Sequence, residues 1–355
     1  MLGGAERVLI HTLRALRNNE LSLIADRWNP EDITNIIDIE PPRVEWIKCS
    51  SFRPIYQHLT AFQWLYYTRK INRLIQKISE DHDLVIETQQ VYSDAPSDTP
   101  LINYIHYPTL AAPPPEEEQS LTSSIYYAVT RFFIRKRVKK ISLALTNSQF
   151  TAKKIVEYLG INPLVVYPPV DVKKFHSERT WSGREDKVIT IGMFLPFKRH
   201  HLLLKVAKEL PKVKFVIIGT VSEDYRSYYE RLCMQKPNNV IIKQNLTFNE
   251  VKHELATAKA YVHLCPEHFG ISPIEAAAAG CVPIIYQVGG PAESLGDAAL
   301  MWQDLPQLST HISKLLKDKD LWSELSKRAR DKAFEFDASV FEQRIRNIIE
   351  KQLWR

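Results

Sequence analysis

Cysteine is scarce in this chain, four residues in 355, and Cys49, Cys233, Cys265 and Cys281 are so dispersed that no C-x-x-C pair or zinc-finger spacing occurs. That argues against a disulfide scaffold or a cysteine-built structural zinc site, and the four are expected to be reduced core or loop residues. Long apolar runs are also lacking: no stretch reaches the about 18–20 residues of a membrane span, and the first residues carry no signal-peptide pattern. A cytoplasmic protein is the expectation.

The composition, 45% hydrophobic and 25% charged, is that of a soluble globular protein, and the length suits two domains of ordinary size. A net charge of +6 suggests an anionic partner without choosing among nucleotide, phospholipid and nucleic acid. No nucleic-acid-binding motif accompanies it, which ranks nucleic acid last and leaves "no nucleic acid" as the expectation. The positive charge is concentrated instead. Arg131, Arg135, Lys136, Arg137, Lys139 and Lys140 fall together with no acid among them, beside Tyr126, Tyr127, Phe132 and Phe133. A basic helix with aromatics at its margin reads as an element for an anionic membrane surface, or equally as a solvated face with its rings in the core.

Short β-branched runs alternate with helical periods throughout. Strands are expected at Leu21–Ala25, Val44–Cys49, Leu84–Glu87, from Leu101, near Leu145 and Val165, then at Lys187–Gly192, Phe215–Gly219, Val240–Lys243, Tyr261–Leu264 and Val282–Tyr286. This alternation predicts α/β architecture with doubly wound sheets. Residues 1–175 and 176–336 are the expected domains, with Lys173–Asp186 an irregular linker and 337–355 a final helix. Gly3-Gly4 opens the first helix, where a glycine pair permits close approach of a phosphate or sugar or simply makes a turn. Ala111–Gln119, with three prolines and three glutamates, reads as a mobile loop. Val288–Glu293 reads as a turn.

The chain is organised around Pro266–Gly280, PEHFGISPIEAAAAG, set between two buried strands. Ser272 suits an N-cap, Pro273 the first helical position, and Ala276–Ala279 the body of a helix that Gly280 ends. The preceding loop then presents backbone N–H groups at a helix N-terminus, which favours an anion such as a diphosphate, and Gly270 lets the backbone approach it. Glu267 and Glu275 bracket this arrangement. Carboxylates repel phosphate but accept hydrogen bonds from sugar hydroxyls on either side of it, which is the layout of a nucleotide-sugar.

With Phe-Gly after the first Glu and Gly-Cys-Val-Pro beyond the second, this stretch resembles glycosyltransferase family 4. The Tyr-x-His-Tyr-Pro-Thr string at 104–109 and Tyr-Pro-Pro-Val-Asp at 167–171 are most similar to its dolichol-pathway α-1,2-mannosyltransferase group. The resemblance implies the GT-B fold, two Rossmann-like doubly wound domains facing a cleft, the first on the acceptor side and the second holding the nucleotide-sugar, with the last helix crossing back to the first domain. Carried over, Glu275 holds the ribose and Glu267 lies near the donor hexose. His106 sits close to the transferred sugar, and Lys198 neutralises the diphosphate. Gly3, Gly4, Phe269, Gly270, Ile271 and Ser272 line the donor. Family members carry an Arg where Met193 stands, and Arg199 is the available substitute. They also carry a strand before the paired glycines, for which only Met1 and Leu2 remain.

The implied activity is retaining transfer of a hexose, mannose from GDP-mannose, onto a lipid-linked saccharide or glycolipid by a peripheral protein on the cytosolic membrane face. No bound metal or other cofactor is expected, and no Asp-x-Asp ligand motif accompanies the Glu267–Glu275 stretch. The alternatives are a UDP-sugar-dependent transferase for glycolipid or surface polysaccharide, and a non-catalytic nucleotide-binding or scaffold protein, which the loss of Arg at Met193 favours.

Overall fold

The computed structural model describes residues 3–37, 39–49, 60–88, 92–113 and 121–353; most of the loop read at Ala111–Gln119 lies outside them. In chain order the strands are β1 (Ser22–Ala25), β2 (Glu45–Lys48), β3 (Val85–Glu87), β4 (Leu101–Ile105), β5 (Leu143–Thr146), β6 (Leu164–Val165), β7 (Glu185–Ile191), β8 (Lys214–Gly219), β9 (Val240–Gln244), β10 (Ala258–His263), β11 (Val282–Tyr286) and β12 (Leu300–Trp302). The helices are α1 (Gly4–Ala15), α2 (Pro30–Ile37), α3 (Thr60–Ile78), α4 (Leu121–Val138), α5 (Gln149–Leu159), α6 (Val172–Phe175), α7 (His200–Glu209), α8 (Arg226–Gln235), α9 (Phe248–Thr257), α10 (Ile271–Ala278), α11 (Gly290–Leu295), α12 (Leu305–Leu315), α13 (Lys319–Ala333) and α14 (Ala338–Leu353). Of these, α2 has no counterpart in the sequence reading.

The chain divides into two compact units, one made chiefly of Pro168–Val340 and the other of Leu2–Asn35, Ile39–Tyr167 and Phe341–Arg355. In the N-terminal unit, β3-β4-β5-β6 form a parallel sheet and β1-β2 a separate parallel pair, so among the described residues β1 and β3 each keep one unpaired edge. One core lies where α1, through Val8 and Ala15, and α14, through Phe341, Ile345 and Ile349, meet Ile102 and Tyr104 of β4 and Leu145 of β5. The spacing of those α14 residues is the apolar stripe of a surface helix. Ser148 caps α5 by accepting from the Thr151 backbone N–H at 3.0 Å, as its position after a strand predicts.

The C-terminal unit is a six-stranded parallel sheet of order β12-β11-β10-β7-β8-β9. Its inner strands are buried on both faces, with Val188, Ile217, Val262 and Ile284 inaccessible, because helices cover both sides of a parallel sheet. The chain winds outward from β7 to β9, returns to the far side of β7 as β10, and winds outward again to β12. The strand order therefore reverses between β7 and β10. In open α/β sheets ligands bind beyond the carboxyl ends of the strands at such a reversal.

The segment read as an irregular linker is partly ordered: α6 forms one helical turn, and Arg184 just before β7 is buried. Its guanidinium donates to the carbonyls of Ala258 at 2.7 Å and Ala279 at 2.6 Å. One side chain thus ties the start of β10 to the end of α10 and satisfies a terminal helix carbonyl that has no partner within the helix.

Candidate functional site

Lys198 and Glu267 stand just beyond the carboxyl ends of β7 and β10, at the reversal point. The Lys198 ammonium and the Glu267 carboxylate form an ion pair, 21% and 15% exposed. Burial pushes the Lys198 pKa below the ordinary lysine value. Gly192, at the end of β7, lies under this lysine, since a Cβ there would come within 3.5 Å of its Cδ.

The loop carrying Glu267 is locked by a second glycine pair. Gly290 N–H donates to the Glu267 carbonyl at 2.7 Å, and a Cβ on Gly290 would lie 2.1 Å from the His268 carbonyl oxygen. Only a residue without a side chain permits that approach. The reading of Val288–Glu293 as a turn is corrected: Gly290–Leu295 is α11, with Pro291 in its first turn. Its start braces the Glu267 loop.

α10 begins two residues earlier than the sequence predicts. Its N-cap is Gly270, at φ 80°, and Ser272 and Pro273 are already helical, so the expectation of Ser272 as the cap is also corrected. A Cβ on Gly270 would meet Pro291 at 2.6 Å, so packing against α11 fixes where α10 starts. The Ser272 side chain hydrogen-bonds Tyr261 instead. Glu275 projects from the second turn and is buried at 6% exposure. Ile271 lies at the helix N-terminus beside Gly270, whereas the Phe269 ring is core, packed edge-on against Phe336 at 5.6 Å. The Arg199 guanidinium lies over the Tyr286 ring at 5.1 Å, while Met193, where the expected Arg would stand, is 45% exposed.

Three further residues crowd this site. His263, at the end of β10, has its Nε2 3.9 Å from the Glu267 carboxylate and 3.8 Å from the Cys265 sulfur. Burial, then the Lys198 charge, pushes the His263 pKa down to about 3, so its ring is neutral at ordinary pH. His200, at the start of α7, is likewise held down to about 3 by burial and Lys198. The sequence reading missed His263 and Cys265 because alternating positions at the end of a buried strand look like core, and His200 because a Lys-Arg-His-His helix start reads as surface. His263-x-Cys265-x-Glu267 is the signal that would have found them.

In the N-terminal unit, Gly3 is the N-cap of α1 and Gly4 its first residue, both exposed. His106 follows β4, and its Nε2–H donates to the Thr88 carbonyl at 2.9 Å, which fixes the tautomer and leaves Nδ1 as an acceptor. Burial pushes its pKa down to about 4.

The basic stretch forms α4 and the turn after it, but its charge is less available than the sequence suggests. Arg131 Nε donates to the Ala111 carbonyl, Arg135 Nε to that of Tyr158, and Arg137 Nη1 to that of Tyr92, while Lys140 pairs with Asp94. Lys136 lies over the Phe132 ring, and Lys139 is exposed. The two phenylalanine rings are not core: Phe132 and Phe133 are 58 and 46% exposed, the aliphatic Ile125 and Val129 are 58 and 53% exposed, and Tyr126 and Tyr127 are half-buried. Apolar side chains thus occupy the first half of the exposed face, and Arg135, Lys136 and Lys139 the second. No described helix is long and apolar enough to cross a membrane.

Residues 2–174 match the Glycosyltransferase Family 4 domain and residues 171–332 the domain of glycosyl transferases group 1. Among curated proteins, the chain is similar to a Dictyostelium discoideum protein named GDP-Man:Man(3)GlcNAc(2)-PP-Dol alpha-1,2-mannosyltransferase, 23% identical over 67% of this chain and 56% of that protein. It is also similar to the Homo sapiens protein of the same name, 26% identical over 70% and 60%. The chain thus spans less than two thirds of these relatives. Among solved structures, it superposes on Anabaena HepE in complex with UDP, TM-score 0.76 at 16% identity over 98% of this chain and 96% of that one. Sucrose-phosphate synthase from Thermosynechococcus elongatus gives TM-score 0.77 at 13% identity over 99% and 94%. These likenesses establish the fold as GT-B, with two Rossmann-like α/β domains. With one matched domain following the other from residue 2 to residue 332, the chain belongs to the glycosyltransferases that join a family 4 domain to a group 1 domain.

Proposed function

We propose that the protein transfers mannose, with retention, from GDP-mannose to a lipid-linked saccharide at an anionic membrane surface on the cytosolic side. The observation that carries this reading is the Lys198–Glu267 pair beside the N-terminus of α10, with Glu275 buried in the same helix. In this reading the first N–H groups of α10 and the Lys198 ammonium stabilise the departing diphosphate as its charge develops. Glu275 takes the ribose hydroxyls and Glu267 those of the hexose. His106, neutral and with Nδ1 open as an acceptor, is assigned to a hydroxyl of the transferred sugar. No bound metal or other cofactor is assigned to the reaction. The mannose donor and lipid-linked acceptor are supported by the names of the curated relatives.

The test is a thermal-shift panel of GDP-mannose, GDP, UDP-glucose and UDP without added metal. A ligand at about 100 times its dissociation constant stabilises the folded state by about 2.7 kcal/mol. Stabilisation confined to the guanine nucleotides is expected. A shift with uridine ligands alone would assign a UDP-sugar donor, and no shift at all would leave a non-catalytic protein.

α4 supplies the membrane contact in this proposal. Its apolar half, Ile125, Val129 and Phe132, enters the headgroup boundary while Lys136 and Lys139 meet anionic lipid, each basic residue gaining about 1 kcal/mol there. Lys136→Glu together with Lys139→Glu is expected to lower binding to phosphatidylserine vesicles by more than tenfold in a co-sedimentation assay. Unchanged binding at physiological salt would remove α4 from the membrane contact.

A further inference from the structure

His263, Cys265 and Glu267 occupy alternate positions along the end of β10 and the loop after it. Their ligand atoms all lie within 4.8 Å of one another, and they are the one such group of His, Cys and acidic side chains among the described residues. Imidazole Nε2 is 3.8 Å from the Cys265 sulfur and 3.9 Å from the Glu267 carboxylate. A tetrahedral zinc ion with bonds of about 2.0–2.3 Å holds its ligand atoms about 3.3–3.8 Å apart, so both His263 distances already lie at the edge of that range and it is the Cys265–Glu267 separation, within 4.8 Å, that has to close on the ion.

We propose that His263, Cys265 and Glu267 bind a borderline or soft divalent cation of the Zn²⁺, Co²⁺ or Cd²⁺ type. One nitrogen, one sulfur and one carboxylate oxygen suit such an ion and not Mg²⁺ or Ca²⁺, which require oxygen ligands. His263 and Cys265 are buried and Glu267 is partly exposed, so the ion enters at the carboxylate and leaves a fourth position for water. Cys265 gives up its proton on binding, since the thiolate is the ligand. Lys198 already faces Glu267, and its charge also acts on His200 and His263. The ion therefore competes with the Lys198 ammonium for Glu267, and it is a competitor within the site rather than a participant in transfer. The ligand chemistry stands whether or not the donor is GDP-mannose.

The intact chain, freed of metal with a chelator, is titrated with Co²⁺ and followed by absorbance. One equivalent is expected to produce a thiolate charge-transfer band and the visible bands of a tetrahedral site, both lost on adding Zn²⁺. Cys265→Ser should abolish the charge-transfer band. His263→Gln should weaken binding by at least the roughly tenfold that loss of even an outer-shell partner costs. No band in the unaltered protein overturns the proposal. So does a band that persists in Cys265→Ser, which would place the ion on Cys49, Cys233 or Cys281.

Discussion

Replacing Lys198 by alanine is expected to slow sugar transfer by about 10²–10³-fold, the loss that follows removal of one preorganised donor from a developing oxyanion. The proposed role rests on the geometry of the lysine. Its ammonium is only 21% exposed and is already held by Glu267 before a donor binds, so little reorganisation remains when the leaving diphosphate gains charge. Burial lowers its pKa, which means the charge is maintained at a desolvation cost, and an approaching dianion relieves that cost most where its own charge is greatest. Lys198→Arg is expected to recover only part of the rate, because a planar guanidinium does not reproduce a compact ammonium beside Glu267. The measurement is single-turnover transfer from the nucleotide-sugar, with nucleotide affinity determined in parallel. If rate stays constant while affinity falls, Lys198 acts in ground-state binding and the leaving-group role is wrong.

The C-terminal unit was largely legible in the sequence because buried parallel strands leave an unambiguous trace: β11 runs over Val282–Tyr286 as expected, and β7, β8, β9 and β10 fall within a few residues of their predicted places. The start of α10 was not legible. Local preferences favour a Ser cap followed by Pro, and those preferences are worth only about 1 kcal/mol. The close packing of Gly270 against Pro291, more than twenty residues away, outweighs them. The same non-local contact hid α11, since Gly-Gly-Pro is equally good chemistry for a turn and for a helix start. On α4 the sequence supplied the charges but not their partners. Three arginines reach back to carbonyls on other segments, which thins the basic patch and leaves the apolar half of the helix as its larger exposed feature.

Glu275→Ala is expected to weaken GDP binding by roughly 10- to 150-fold, corresponding to about 1.5–3 kcal/mol for a hydrogen bond to a charged acceptor. Stabilisation of the helix does not account for this carboxylate. It lies in the second turn of α10, beyond the first-turn positions where an acid gains from the helix dipole, and it is buried at 6% exposure. Burying a carboxylate there carries a desolvation cost. A ribose that donates two hydroxyl hydrogen bonds offsets that cost, and pyrophosphate, which lacks a ribose, does not. Glu275→Ala should therefore lose affinity for GDP while keeping its affinity for inorganic pyrophosphate, both measured by calorimetry, and Glu275→Gln should fall between the variant and the parent for GDP. Equal losses for the two ligands would mean that Glu275 acts by shaping the α10 N-terminus, and the ribose assignment would pass to another residue of the unit.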